Sequence, residues 1–170
     1  MSNYILIGIG LIIFTMLVLN FFSHNSTQTT HSLYSQAVIT GTEIGHSLLE
    51  EMSTNDFDEA VIGLTAALPS PALLTSKVNF GPDGIENKND RTTFDDFDDY
   101  HGYLFADSTE ALGVFFVKVS VDYVSSSNPE IVSTSNTWYK RASLLITNEY
   151  LRDEGASIPD TIKLFLINTY

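Results

Sequence analysis

The run YILIGIGLIIFTMLVLNFF, from Tyr4 to Phe22, contains no charged side chain, and its strongly polar members are Thr15 and Asn20. At about 1.5 Å of rise per residue it makes a helix roughly 28 Å long, close to the hydrocarbon thickness of a bilayer. Two alternatives compete with an uncleaved membrane anchor: a cleaved secretory signal and a buried core helix. A cleaved signal has a positive n-region, a shorter apolar core and a small-x-small cleavage site. Here the terminal amine alone is positive ahead of the run, and the following SHNSTQTTH offers no such site. The anchor is therefore the expected state. Gly8 and Gly10 are the positions in it where neighbouring helices would approach closely.

Charge is absent well beyond this run. Histidines aside, the first charged side chain is Glu43 and the first basic one is Lys77. The positive-inside rule thus has no Lys or Arg to act on at either end of the span. A short N-terminal tail is easily left in the cytoplasm, so the acidic remainder is expected on the far side of the membrane. The net charge is -13, from 21 acidic and 8 basic residues. That balance argues against nucleic acid, whose binders array Lys and Arg along the phosphates. With no cysteine in the chain, disulfides, thiolate zinc sites and cysteine nucleophiles are excluded.

After a Ser/Thr-rich spacer, Ser23 to His31, a helical period returns and runs to Met52. The spacer is compatible with a non-helical joint or a frayed continuation of the first helix. Tyr34, Val38, Gly41, Gly45, Leu48 and Met52 step by four and three along one seam. Gly41 and Gly45 each weaken a helix by about 1 kcal/mol relative to Ala, which is tolerable where something packs closely. An amphipathic helix lying on its own domain's sheet is expected, with helix–helix contacts to other copies as a compatible addition. Asn55, Asp56 and Asp58 end this segment. From Ala60 to Phe80 the chain reads as short irregular elements broken by Pro69 and Pro71, and GPDGIENKND from Gly81 to Asp90 forms turns.

Beyond Tyr103 the period changes to two. In ALGVFFVKVSVDYV, from Ala111 to Val124, Phe115, Val117, Val119, Val121 and Tyr123 face one way. Two more strands are expected at Thr137–Glu149 and Thr161–Asn168, separated by the turns SSSNPE and RDEGASIPD. Short connections make these neighbours antiparallel. One apolar sheet face needs a cover, and the 31–52 helix supplies it. The fold class is α+β. Residues 1–52 form a membrane or filament-core helix and residues 53–170 an exported globular domain with an antiparallel sheet.

The phrase FDDFDDYHGY sets Phe94, Phe97, Tyr100 and Tyr103 at a spacing of three, with Asp95, Asp96, Asp98 and Asp99 between them. In a tight helical turn that spacing stacks the aromatics on one side. The favoured reading is a loop anchored into the core by its aromatics, with aspartates left solvated or capping backbone N–H groups. The other reading is a Ca²⁺ site built from the same four aspartates, since calcium takes several oxygens from a flexible loop; the EF-hand spacing is absent. His101 stands beside Tyr100 and Asp99, yet no nucleophile motif accompanies it, and no catalytic constellation is expected. Lys140–Arg141 is expected to make at most an exposed pairing with the acidic loop, contributing roughly 0–1 kcal/mol.

A long N-terminal helix, apolar first and amphipathic second, leading into a small antiparallel sheet, resembles a type IV pilin or pseudopilin. FDDFDDYHGY is similar to the Asp-rich aromatic loop of minor pilins of the mannose-sensitive haemagglutinin type. VKVSVDYV, WYKRASLLIT and DTIKLFLI are similar to that group's C-terminal strands. The resemblance implies a structural subunit of a type IV pilus-like or type II secretion-like filament, without a cofactor. Its partners would be other copies or related subunits, and it would reside in the bacterial inner membrane and in an extracellular filament. Gly8, Gly10, Gly41 and Gly45 would then lie at helix contacts. Pilins carry a basic leader ending in glycine and a glutamate early in the helix; the residues before Tyr4 and the stretch YILIGIGL carry neither. Leader cleavage and the glutamate-based assembly register are therefore not carried over. A membrane-anchored binding domain that does not polymerise is the alternative.

Overall fold

A computed structural model of the chain describes residues 2–152 and 159–170. One α-helix, α1, runs without a break over Ser2–Thr54, 53 residues or about 80 Å. The Ser/Thr-rich spacer is thus neither a joint nor a frayed end. Polar side chains in α1 bond back to carbonyls one turn earlier, a pattern that lets hydroxyl and amide residues sit inside a helix. Thr29 Oγ1 donates to Asn25 O at 3.0 Å and Thr42 Oγ1 to Val38 O at 2.7 Å. The same device serves the apolar run: Thr15 Oγ1 donates to Leu11 O and Asn20 Nδ2 to Met16 O. Each polar residue there thus places a donor on a carbonyl of the helix itself, which lowers the cost of carrying it into hydrocarbon.

The helix has two environments. Between Tyr4 and Phe22 the large apolar side chains of the described residues stand open, Phe14 at 66 % and Phe21 at 70 % exposure. The helix is long and apolar enough near the N-terminus to cross a membrane. From Leu33 onward it turns a seam onto the domain, burying Ala37, Leu48, Leu49 and Met52. Tyr34 and Val38, at the start of the seam, are half-buried.

The sheet is a four-stranded antiparallel meander of β1 (Leu104–Thr109), β2 (Gly113–Tyr123), β3 (Tyr139–Thr147) and β4 (Ile162–Thr169), in that spatial order. Three of these correspond to the strands read from the sequence. The additional β1, LFADST, pairs with β2 from Leu104↔Lys118 to Thr109↔Gly113. It is an edge strand with little burial, so its sequence carries no period-two signature. The turn after it closes through Gly113 at φ +66, a left-handed conformation open to glycine. The turn expected over Arg152–Asp160 lies mostly outside the described residues.

Phe115, Val117, Val119, Val121 and Tyr123 of β2 all point inward and are buried. On β3 the inward series is Lys140, Ala142, Leu144 and Ile146. Helix α1 packs on β3 and β4, and its glycines fit that contact. A Cβ added at Gly41 would lie 2.8 Å from Ile162 Cδ1 and 3.3 Å from Phe115 Cε1; at Gly45 it would lie 2.6 Å from Ile146 Cδ1 and press on Leu164. The chain's own sheet therefore occupies the space at Gly41 and Gly45 that helix–helix packing would need. At Gly8 and Gly10 nothing lies within 4 Å. Between α1 and the sheet run four single-turn 3₁₀ elements, Glu59–Val61, Pro71–Leu73, Lys77–Asn79 and Arg91–Thr93, the first three of which account for the irregular 60–80 segment.

Candidate functional site

The residues of FDDFDDYHGY form two successive tight turns, with His101 N donating to Asp98 O and Tyr103 N to Tyr100 O. The segment is tied to the end of α1 through Asn55 Nδ2 to Phe94 O, Asp56 N to Asp95 O and Phe97 N to Asp56 O. Phe94, Phe97 and Tyr100 are buried in the main core and Tyr103 is half-buried against it. Phe94 meets Tyr100 and Tyr103 edge-on, with centroids 5.0 and 5.4 Å apart, and Tyr103 stacks on Phe105. Edge-to-face geometry is the preferred arrangement for aromatic pairs. The Tyr100 hydroxyl donates to Glu51 Oε1 at 3.1 Å.

The aspartates depart from expectation. Asp95 is exposed, whereas Asp96, Asp98 and Asp99 are buried. Burial of three carboxyls requires partners, and the backbone provides most of them. Asp96 Oδ1 accepts from Asp98 N (2.7 Å) and Asp99 N (3.1 Å), while Asp99 Oδ2 accepts from Asp96 N (3.0 Å) and Asp95 N (3.1 Å). This reciprocal pairing has the form of a capping box, here closing a turn with no helix behind it. Only the capping half of the sequence reading matches this arrangement. The aromatic spacing alone does not send the aspartates outward, because the two turns also fold them under.

Asp98 points to the centre of the domain, where it meets Lys140. This lysine is fully buried, which corrects the expectation of an exposed Lys140–Arg141 pairing. Its Nζ donates to Phe57 O at 2.7 Å, to Asp58 Oδ2 at 2.6 Å and to Asp98 Oδ1. The rings of Phe57, Phe80 and Tyr123 surround Nζ with centroids at 4.7, 5.0 and 5.4 Å, within reach of cation–π attraction. Lys140 lies opposite Tyr123 in the β2–β3 register, so sheet geometry places both on the inward face. Asp58 caps the Glu59–Val61 turn: its Oδ1 accepts from Ala60 N, Thr75 N and Thr75 Oγ1. Its Oδ2 accepts from Lys140 Nζ, from the Tyr123 hydroxyl at 3.1 Å and, more distantly, from Thr75 N at 3.2 Å.

Two carboxyls, Asp58 and Asp98, thus share one ammonium in a water-poor interior. Burial pushes Asp58 up, but the hydrogen bond and charge of Lys140, with the Thr75 and Ala60 donors, bring it below its ordinary value. Burial raises Asp98 to about 8 against the pull of Lys140, with the charge of Asp96 adding to the rise. Asp96 is raised too, chiefly by burial. Burial, then the charge of Asp58, raises the Tyr123 hydroxyl.

On the outer side of the same loop, carboxyl oxygens of Glu86, Asp95 and Asp99 lie within 4.8 Å of one another. Among the described residues these three form the carboxyl group that could face a hard cation, whereas Asp96 is turned to backbone N–H groups and Asp98 to Lys140. Asp99 is raised to about 8, by burial first and the charge of Asp96 second, with the hydrogen-bonded Glu86 adding to it. Asp99 also borders an open cleft of about 550 Å³ whose walls include Phe80, Asp83, Lys88, His101 and Tyr103. His101 is held on the cleft wall through one ring nitrogen, Nδ1 lying 2.8 Å from Val121 O and 3.1 Å from Val121 N.

Sequence reasoning missed Lys140 and Asp58. The available signal was the strand period: Lys140 is in phase with Ala142, Leu144 and Ile146, so an inward lysine needed a buried carboxylate somewhere in the chain. Compared with protein-family models, with curated proteins and with solved structures, the chain matches none of them.

Proposed function

We propose that the chain is a structural subunit of a type IV pilus-like or type II secretion-like filament. Before assembly it is held in the bacterial inner membrane, with residues 53–170 outside. The observation that carries this reading is the single unbroken helix, bare and apolar from Tyr4 to Phe22 and seated on a sheet from Leu33 to Thr54. In the bilayer the bare half faces lipid; in a filament it faces the same half of other copies. The exchange of one apolar environment for another costs little. Gly8 and Gly10, with open space around them, are the helix positions left for close approach between copies. Gly41 and Gly45 serve the domain instead.

Mechanical shearing of cells tests the proposal. The chain is expected in sheared filaments, with its membrane-extracted pool as precursor. Recovery in detergent-extracted membranes alone would favour the second reading, a single-pass anchored domain that binds a partner. The stretch YILIGIGL, which lacks an acid, and the cleft beside Asp99 favour that second reading.

A further inference from the structure

We propose that Lys140 and Asp98 join covalently, the lysine Nζ bonding to Cγ of Asp98 as a side-chain amide, with Asp58 relaying the protons. The inference does not rest on the filament reading; it rests on what surrounds one ammonium group. An amide forms from an amine and a carboxyl when the nitrogen is held against the carboxyl carbon, a base is in reach, and water is kept away from the product. Lys140 Nζ is in direct contact with the Asp98 carboxyl, in a position with no exposure to solvent. Asp58 Oδ2 is 2.6 Å from the same nitrogen, within proton-transfer distance. The rings of Phe57, Phe80 and Tyr123 close the site.

The two carboxyls are not equivalent. Asp58 is anchored through its other oxygen by Ala60 and Thr75, which fixes it as a base beside the nitrogen. Asp98 comes from a surface turn and presents its carboxyl to the nitrogen. Residues 42 apart in sequence are held in contact by the fold, and such preorganisation corresponds to effective concentrations of about 10⁵–10⁸ M. The product also removes two buried charges, whose desolvation works against an ion pair at this depth.

The step balances without any co-reactant. The ammonium gives a proton to Asp58, which passes it to an oxygen of the Asp98 carboxyl, and the freed lone pair attacks Cγ of that neutral carboxyl. The carbon–oxygen bond then breaks. Two of the three ammonium protons leave with that oxygen as water, passed on through Asp58, which ends as the carboxylate it began as. The products are one neutral amide and one water.

Mass spectrometry of the full chain, extracted in detergent and denatured, tests this. The expected mass is lower by one water than that of the same chain with free side chains. Trypsin, cutting after Arg91, Lys118 and Arg141 but not after Lys140, should release peptide 92–118 joined to peptide 119–141. Lys140→Arg should restore the full mass, and Asp58→Asn should leave most of the chain unjoined. A full mass in the unaltered protein, with the two peptides separate, overturns the proposal. So does a lost water without the joined peptide, as from cyclisation at another aspartate. Joining that persists undiminished in Asp58→Asn overturns the relay.

Discussion

Lys140 Nζ lies 2.6 Å from Asp58 Oδ2, between residues 82 apart in the chain, and both side chains are wholly buried. This contact ties the end of α1 to β3, while the Lys140–Asp98 contact ties the aromatic loop to the same point. Removing the lysine leaves two buried carboxyls facing each other across an apolar cage. Lys140→Met is expected to destabilise the domain by about 3–5 kcal/mol, the usual cost of orphaning a buried charge. Urea unfolding of the full chain in detergent, followed by Trp138 fluorescence, measures it; a loss below about 1 kcal/mol would mean the carboxyls are satisfied without the lysine.

Gly45→Ala should destabilise the chain even though alanine favours a helix by about 1 kcal/mol. The new Cβ presses on Ile146 and Leu164, and overpacking of this kind costs about 1–3 kcal/mol. Gly8→Leu meets nothing within the chain and should leave the unfolding midpoint unchanged while lowering filament yield. Thermal melts of both variants, read beside sheared-filament recovery, separate the two roles. Equal yields from wild type and Gly8→Leu would remove Gly8 from the helix contacts.

Stability should fall as pH rises from about 4 toward 8. Asp99 has an ordinary value of 3.8 and is raised to about 8 in the fold, so between those values the folded chain holds a proton that the unfolded chain releases. Its contribution is complete below the unfolded value and is lost as pH rises through the folded one. The limiting slope is about 1.4 kcal/mol per pH unit for one such group. Asp58, lowered in the fold, acts oppositely and weakens the domain only in stronger acid. Asp98, raised likewise to about 8, acts in the same direction as Asp99. Urea midpoints at pH 5 and pH 8 should differ in wild type, and Asp99→Asn should reduce the difference by its own share. An unchanged slope in that variant would assign the effect to other groups.

Millimolar calcium is expected to raise the melting temperature, because a cation would relieve the repulsion among Glu86, Asp95 and Asp99. Three carboxylates fall short of the six to eight oxygens calcium takes, so micromolar calcium should have no effect. Asp95→Asn should abolish the rise. No shift at millimolar calcium removes the cation reading.

Much of the architecture was legible in the order of residues. The uncharged run, the seam from Tyr34 to Met52 and the alternation from Phe115 to Tyr123 each express a repeat matched to helix or strand geometry. The continuity of α1 through Ser23–His31 was not legible, since Ser and Thr suit a joint as well as a helix until their hydroxyls are seen to bond back one turn. β1 escaped because an exposed edge strand has no buried face to imprint a pattern on LFADST.

The aromatic half of FDDFDDYHGY could be placed in the core from spacing alone; the aspartate half could not. Spacing decides which side chains share a face, and local repeats are read directly from sequence. Whether Asp98 is solvated depends on Lys140 and Asp58, distant in the chain and brought together by the β2–β3 register and the turn after α1. The amino-acid order therefore determined the elements and the apolar helix. Tertiary structure alone decided that one lysine and its carboxylates share an interior closed to water, because the cost of burying a charge is offset only by partners that folding assembles.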